Sequence, residues 1–102
     1  MDLQNLVRIG NNKGDTPLLL ACLRDKPGLV KLLLEAGSDV HQANERGWIA
    51  MHNACSQNSL EIVKLLKQRG SGVNTPNNEE VTPFHIAASK GAETASIFKD
   101  IV

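Results

Sequence analysis

Two cysteines and two of the three histidines are the residues of this 102-residue chain whose side chains could carry chemistry. His52 and Cys55 stand at i and i+3, which places an imidazole and a thiol on one side of a helix at a spacing that suits a metal ion. The other candidates, His85 and Cys22, belong to helical segments of their own, and packed helices stand roughly 8–10 Å apart. Tetrahedral zinc, with bonds of about 2.0–2.3 Å, needs its ligand atoms much closer together than that. The same spacing exceeds the roughly 7 Å Cα limit for a disulfide, so both cysteines read as reduced. A cysteine nucleophile with a histidine base is the enzyme alternative. Both thiols, however, fall on packed helix positions without an electropositive, exposed setting. No G-x-x-x-x-G-K-[ST] phosphate loop is present. No catalytic residue, metal ligand, cofactor or small-molecule substrate is expected.

The elements that position these residues recur at a fixed interval. G14-D-T-P-L-L-L-A-C22 lies over G47-W-I-A-M-H-N-A-C55 and over E80-V-T-P-F-H-I-A-A88, each 33 positions on. L29-V-K-L-L33 lies over I62-V-K-L-L66, and G37-S-D-V40 over G70-S-G-V73. A period of this length marks stacked-repeat architectures. Within each unit, turn residues lead into a short inner helix begun by Thr16-Pro17 or Thr82-Pro83, a capping residue followed by a residue suited to the first helical position. Asp25 and Asn58 tolerate the left-handed conformation needed at the next turn. A broad apolar outer helix follows, stopped by Gly37 or Gly70 as a left-handed C-cap.

These motifs resemble the ankyrin repeat, whose pattern runs G-x-T-P-L-H-x-A-A, an apolar helix, then L-L-x-x-G-A-D-V-N. The resemblance covers nearly the whole chain. It implies a mainly α fold: an ankyrin-repeat solenoid of stacked helix-turn-helix units joined by β-hairpin fingers, about three repeats. The chain divides into a truncated N-terminal finger or cap over 1–10, repeats over 11–43 and 44–76, and an incomplete third repeat over 77–102. The resemblance makes His52 and His85 structural hydrogen-bonding residues, with Leu19 interrupting that network in the first repeat. It also implies non-catalytic protein–protein recognition through a concave surface of fingers and inner helices. By position that surface comprises Asn12, Lys13, Asp15, Leu23 and Arg24, then Glu45, Arg46, Trp48, Ser56 and Gln57, then Asn78, Glu79, Val81, Ser89 and Lys90. Trp48 is the outstanding member, since its equivalents Asp15 and Val81 show that the fold requires no aromatic there. The alternative is a structural spacer within a longer array. L66-K-Q-R-G-S-G-V-N74 resembles the ankyrin motif that asparaginyl hydroxylases modify, making Asn74 a hydroxylation candidate, although Gly72 stands where an acidic residue is usual.

Several departures from the pattern carry expectations. Ile49 and Ala50 replace Thr-Pro, so the second inner helix loses its side-chain cap, worth roughly 0.5–2 kcal/mol. Lys67 replaces the apolar Leu34 and narrows the second outer face. Glu80 replaces the turn glycine. In the third outer helix, strict register puts Ala95 and Ser96 over Ile62 and Val63 and Lys99 over Leu66; a one-residue slip is the alternative. Phe98, Ile101 and Val102 are then expected exposed at an uncapped end, which would favour weak self-association. Charge is balanced, with 11 basic and 11 acidic residues and a pI near 6.8, so the basic footprint of a nucleic-acid or membrane binder is missing. The start lacks a secretory pattern and no apolar run is long enough to span a bilayer, which with reduced cysteines points to the cytoplasm or nucleus.

Overall fold

The computed structural model describes residues 11–98; the expected N-terminal finger or cap over 1–10 and the exposed Ile101 and Val102 lie outside them. Within that range the chain forms α1 (Pro17–Leu23), α2 (Pro27–Glu35), α3 (Ala50–Ser56), α4 (Leu60–Gln68), α5 (Pro83–Lys90) and α6 (Ala92–Ile97). The helices stack in two rows. The inner row runs α1, α3, α5 and the outer row α2, α4, α6, each inner helix also packing on the outer helix of its own unit. The second unit sits between the others, and its Met51, Ala54, Cys55, Ile62, Val63 and Leu66 are completely buried. Each such large side chain contributes about 1.5–3 kcal/mol of burial.

The inner helices start as their sequences dictate. Thr16 Oγ1 accepts from the Leu19 N–H at 3.2 Å, and Thr82 Oγ1 from the His85 N–H at 3.2 Å. Ile49 has no side-chain acceptor, but the α3 start keeps half of the exchange, because the Ile49 N–H donates to His52 Nδ1 at 3.0 Å. The His52 N–H turns instead to the Ile49 carbonyl. Asp25 and Asn58 take φ of 54° and 53°, the left-handed turn between inner and outer helix.

The fingers are tight hairpin turns, with no strand among the described residues. Each is built on an asparagine recurring at the repeat interval. The Asn44 carboxamide oxygen accepts from the N–H groups of Arg46 (2.9 Å) and Trp48 (3.0 Å), and Asn11 and Asn77 do the same for Lys13 and Asp15 and for Glu79 and Val81. Backbone bonds join one finger to the next, Glu45 N–H to the Lys13 carbonyl at 3.0 Å and Asn78 N–H to the Arg46 carbonyl at 2.9 Å. Gly47 is glycine for two reasons. Its φ is +79°, and a Cβ there would lie 2.6 Å from Asn78 Oδ1 and 2.9 Å from Asn78 N. The equivalent Glu80 adopts the same left-handed backbone, with φ of 64°.

The third outer helix takes the slipped register. Thr94 and Phe98 are completely buried, as are Ile62 and Leu66, so the step here is 32 residues rather than 33. The missing residue is lost at the turn: three residues separate α3 from α4, whereas Gly91 alone separates α5 from α6. The expected exposure of Phe98 is therefore wrong. The slip turns its ring into the core, with its centroid 6.2 Å from that of Phe84. Lys67 contributes to the same junction, since its ammonium donates to the Ile97 carbonyl at 3.0 Å and satisfies an open carbonyl at the end of α6. Thr94 donates to the Asn58 carboxamide oxygen.

Candidate functional site

The histidine and thiol chemistry raised by the sequence resolves into structure. His52 is buried with both ring nitrogens engaged: Nδ1 accepts from the Ile49 N–H, so Nε2 carries the proton and donates to the Val81 carbonyl at 2.9 Å. Burial lowers its pKa below 6.5, opposed in part by the carbonyls of Val81 and Thr75. His52 thus ties the start of α3 to the third finger. Cys55 and Cys22 are free and buried, and burial pushes both thiols up to about 12. A thiol held that high is neither a nucleophile nor a ready ligand at neutral pH. His85 repeats the helix-start contact, its Nδ1 accepting from the Thr82 N–H at 3.3 Å, while its ring remains exposed. In the first unit Leu19 is buried in that place, and its carbonyl accepts instead from the Asn53 carboxamide at 2.9 Å.

The surface expected of a recognition groove divides into two parts. Between the first and second fingers lies a cleft of about 330 Å³ lined by Lys13, Asp15, Leu23, Asn44, Glu45 and Arg46. Leu23 is 43% exposed at its side, an apolar surface among charges. Asp15 is already committed, its two oxygens accepting from the carboxamides of Asn44 (2.8 Å) and Asn11 (3.1 Å). It anchors one finger to the next while presenting its charge to the cleft. Beside the cleft, the Arg46 guanidinium lies 5.5 Å from the centroid of the Trp48 ring, a cation–π distance. Trp48 leans on His52, ring centroids 5.5 Å apart and planes at 43°, and is half-buried. Its indole N–H is enclosed without a hydrogen-bond partner among the described residues.

The remaining candidates lie away from that cleft. Arg24, Gln57 and Lys90 are exposed at the ends of the three inner helices, and Ser56 bonds back to the Asn53 carbonyl. Glu79 is exposed on the third finger, and Val81 is half-buried with its carbonyl taken by His52. Asn74 is exposed after the second outer helix. The sequence reading overlooked Asn11, Asn44 and Asn77, which shape every finger and, through Asn44, one wall of the cleft. Their common spacing of 33 was the available signal.

Two rows of short helices stacked in register, with turn fingers projecting from one side, define a helical repeat solenoid. The chain belongs to the ankyrin-repeat family: the family description "Ankyrin repeats (3 copies)" matches residues 18–100. Ankyrin repeats are in general protein-interaction modules. The comparison with curated proteins returned no match. No helix among the described residues is long and apolar enough to cross a membrane.

Proposed function

We propose that the chain is a non-catalytic module, cytoplasmic or nuclear, that binds a partner protein along the groove of its fingers and inner helices. The observation that carries this reading is the cleft between the first two fingers. There Lys13, Asp15, Glu45 and Arg46 surround the exposed Leu23, with the Arg46–Trp48 pair at the edge. An apolar surface ringed by charges of both signs, set on a backbone held by asparagine turns, is a preorganised contact surface. Trp48 and Arg46 belong to the residue types that most often dominate binding energy. Arg24, Ser56, Gln57, Glu79, Val81 and Lys90 extend the surface along the stack.

The test is the affinity of a captured partner for the native chain and for the Trp48→Ala and Arg46→Ala variants, with circular dichroism verifying the fold of each. Trp48→Ala weakens binding by about 2 kcal/mol or more, roughly thirtyfold, with the helical signal unchanged. Unchanged affinity in both variants overturns the groove and leaves the spacer role. Asn74 is proposed in addition as an asparaginyl-hydroxylase substrate. Intact mass after incubation with such an enzyme shows one added oxygen at Asn74; an unchanged mass rejects it.

A further inference from the structure

Threonine followed by proline occurs three times in the chain, at Thr16-Pro17, Thr75-Pro76 and Thr82-Pro83. Two of these pairs start inner helices. Thr16 is buried and its Oγ1 accepts from the Leu19 N–H, while Oγ1 of the half-buried Thr82 accepts from the His85 N–H. A hydroxyl used as a helix cap is not available to an enzyme without loosening the helix start. The third pair lies in the loop between α4 and the third finger, where Thr75 caps no helix and both residues are exposed. That exposure is a property of the repeat position. Gln42 and Ala43, the equivalents one unit earlier, are exposed as well, although further units are stacked beyond them.

The loop is also less tied down than its counterpart. In the first unit Asp39 closes a turn, its Oδ1 accepting from the His41 N–H at 2.8 Å and its carbonyl from the Gln42 N–H at 3.4 Å. Gly72 stands at that position in the second unit, and neither bond has a counterpart at Asn74 or Thr75 among the described residues. A Cβ at Gly72 would lie 3.1 Å from Thr75 Oγ1. The glycine thus keeps a carboxylate away from the hydroxyl, where it would repel a phosphate. Buried Val73 and Asn77 hold the two ends of the exposed Asn74-Thr75-Pro76 segment. We infer that Thr75 is a phosphorylation site for a proline-directed protein kinase, the class of enzyme that takes a hydroxyl followed by proline. The Thr75 oxygen forms a bond to the γ-phosphorus of a nucleoside triphosphate as the bond from that phosphorus to the β-phosphate oxygen breaks. The nucleoside diphosphate leaves, and the hydroxyl proton passes to the carboxylate base of the kinase. The phosphate adds a charge of about −1.5 to −2 at the root of the third finger. Glu79 and Glu80 already stand on that finger, so the mark turns this side of the stack into an acidic patch.

In the test, a proline-directed kinase of the mitogen-activated class, with magnesium and ATP, is given the full chain and, separately, a peptide of its residues 69–81. Fragment mass spectrometry locates the phosphate. Both substrates gain one phosphoryl group at Thr75. The full chain reacts within about tenfold of the peptide rate, because an exposed loop needs little local opening. Thr75→Ser keeps the modification, whereas Thr75→Ala and Pro76→Ala, at exposed positions that leave the helical signal intact, abolish it. Gly72→Asp slows it by about threefold, the scale of one exposed charge contact. A site reached only through global unfolding would react roughly a thousandfold or more slowly than the peptide, and a rate that low overturns the proposal. So does a peptide that the kinase refuses, or phosphate found on Thr16 or Thr82 of the folded chain.

Discussion

Ser38 and Ser71 share one repeat position and one defect: each hydroxyl is enclosed without a hydrogen-bond partner among the described residues. The ankyrin pattern has alanine there. An enclosed hydroxyl loses its water and gains nothing in return, a penalty of roughly 1–3 kcal/mol. Ser71→Ala is therefore expected to raise stability by about 1 kcal/mol, read as a higher urea midpoint at constant slope; a lower midpoint would show that the oxygen is satisfied after all. Glu80 poses the opposite question. A side chain in the left-handed region costs roughly 1–2 kcal/mol, and a glycine raises the entropy of the unfolded chain by about 0.4–1 kcal/mol. The strain is the larger effect, so Glu80→Gly stabilises by about 0.5–1 kcal/mol in the same assay. Both departures stood in the sequence. Whether a hydroxyl was enclosed, or a backbone strained, depended on neighbours brought from other parts of the chain.

At the scale of the element, the junction between the second inner helix and the third finger depends on a neutral His52. Protonation would place a donor on Nδ1 facing the Ile49 N–H, breaking the contact that starts α3. The sign follows from burial lowering the folded-state pKa below 6.5. As pH falls, the unfolded chain takes up its proton first, so the His52 contribution is full above about pH 6.5. It declines below that value and levels off once the folded-state pKa is passed. Thermal melts from pH 8 to 5 should show a falling midpoint from this region, and a His52→Gln variant should flatten that part of the profile. The fingers depend in the same way on their asparagines. Asn44→Ala removes acceptors for two N–H groups and the donor to Asp15. A loss of about 2 kcal/mol is expected, since unsatisfied groups cost more than the bond itself is worth.

For the whole molecule, the question is whether the third unit folds with the rest. The chain holds one tryptophan, Trp48, which lies in the second unit against His52 and Arg46, so its fluorescence reports the middle of the stack. Phe98 is completely buried against Phe84 and closes the last unit. Phe98→Ala should cost about 3–5 kcal/mol, a large fraction of a total of roughly 5–15. In a stack with nearest-neighbour coupling, that loss falls first on the third unit. Far-UV circular dichroism should then begin to fall before Trp48 fluorescence responds, whereas the native chain unfolds with the two signals together. Coincident transitions in the variant would show that α6 contributes little to the stack.

The sequence by itself determined the repeat, its period, the helix starts at Thr-Pro, and the left-handed turns at Asp25 and Asn58. Each depends on the local chemistry of a few adjacent residues, and local chemistry repeats when residues repeat. The chain's place in the ankyrin-repeat family was legible for the same reason, as were the residues that line the cleft, Asn44 excepted. Only the tertiary structure decided what stacking makes of equal positions. Leu29 and Ile62 occupy the same place in their units, yet one is half-exposed and one completely buried, because the middle unit is packed between its neighbours. Ile49 lost its cap in sequence, yet its N–H found the imidazole of His52. The register of α6 turned on a single residue missing before it. Pattern matching weighed two alignments equally there, whereas packing distinguished them at once, because only the slipped register buries Phe98 in the core.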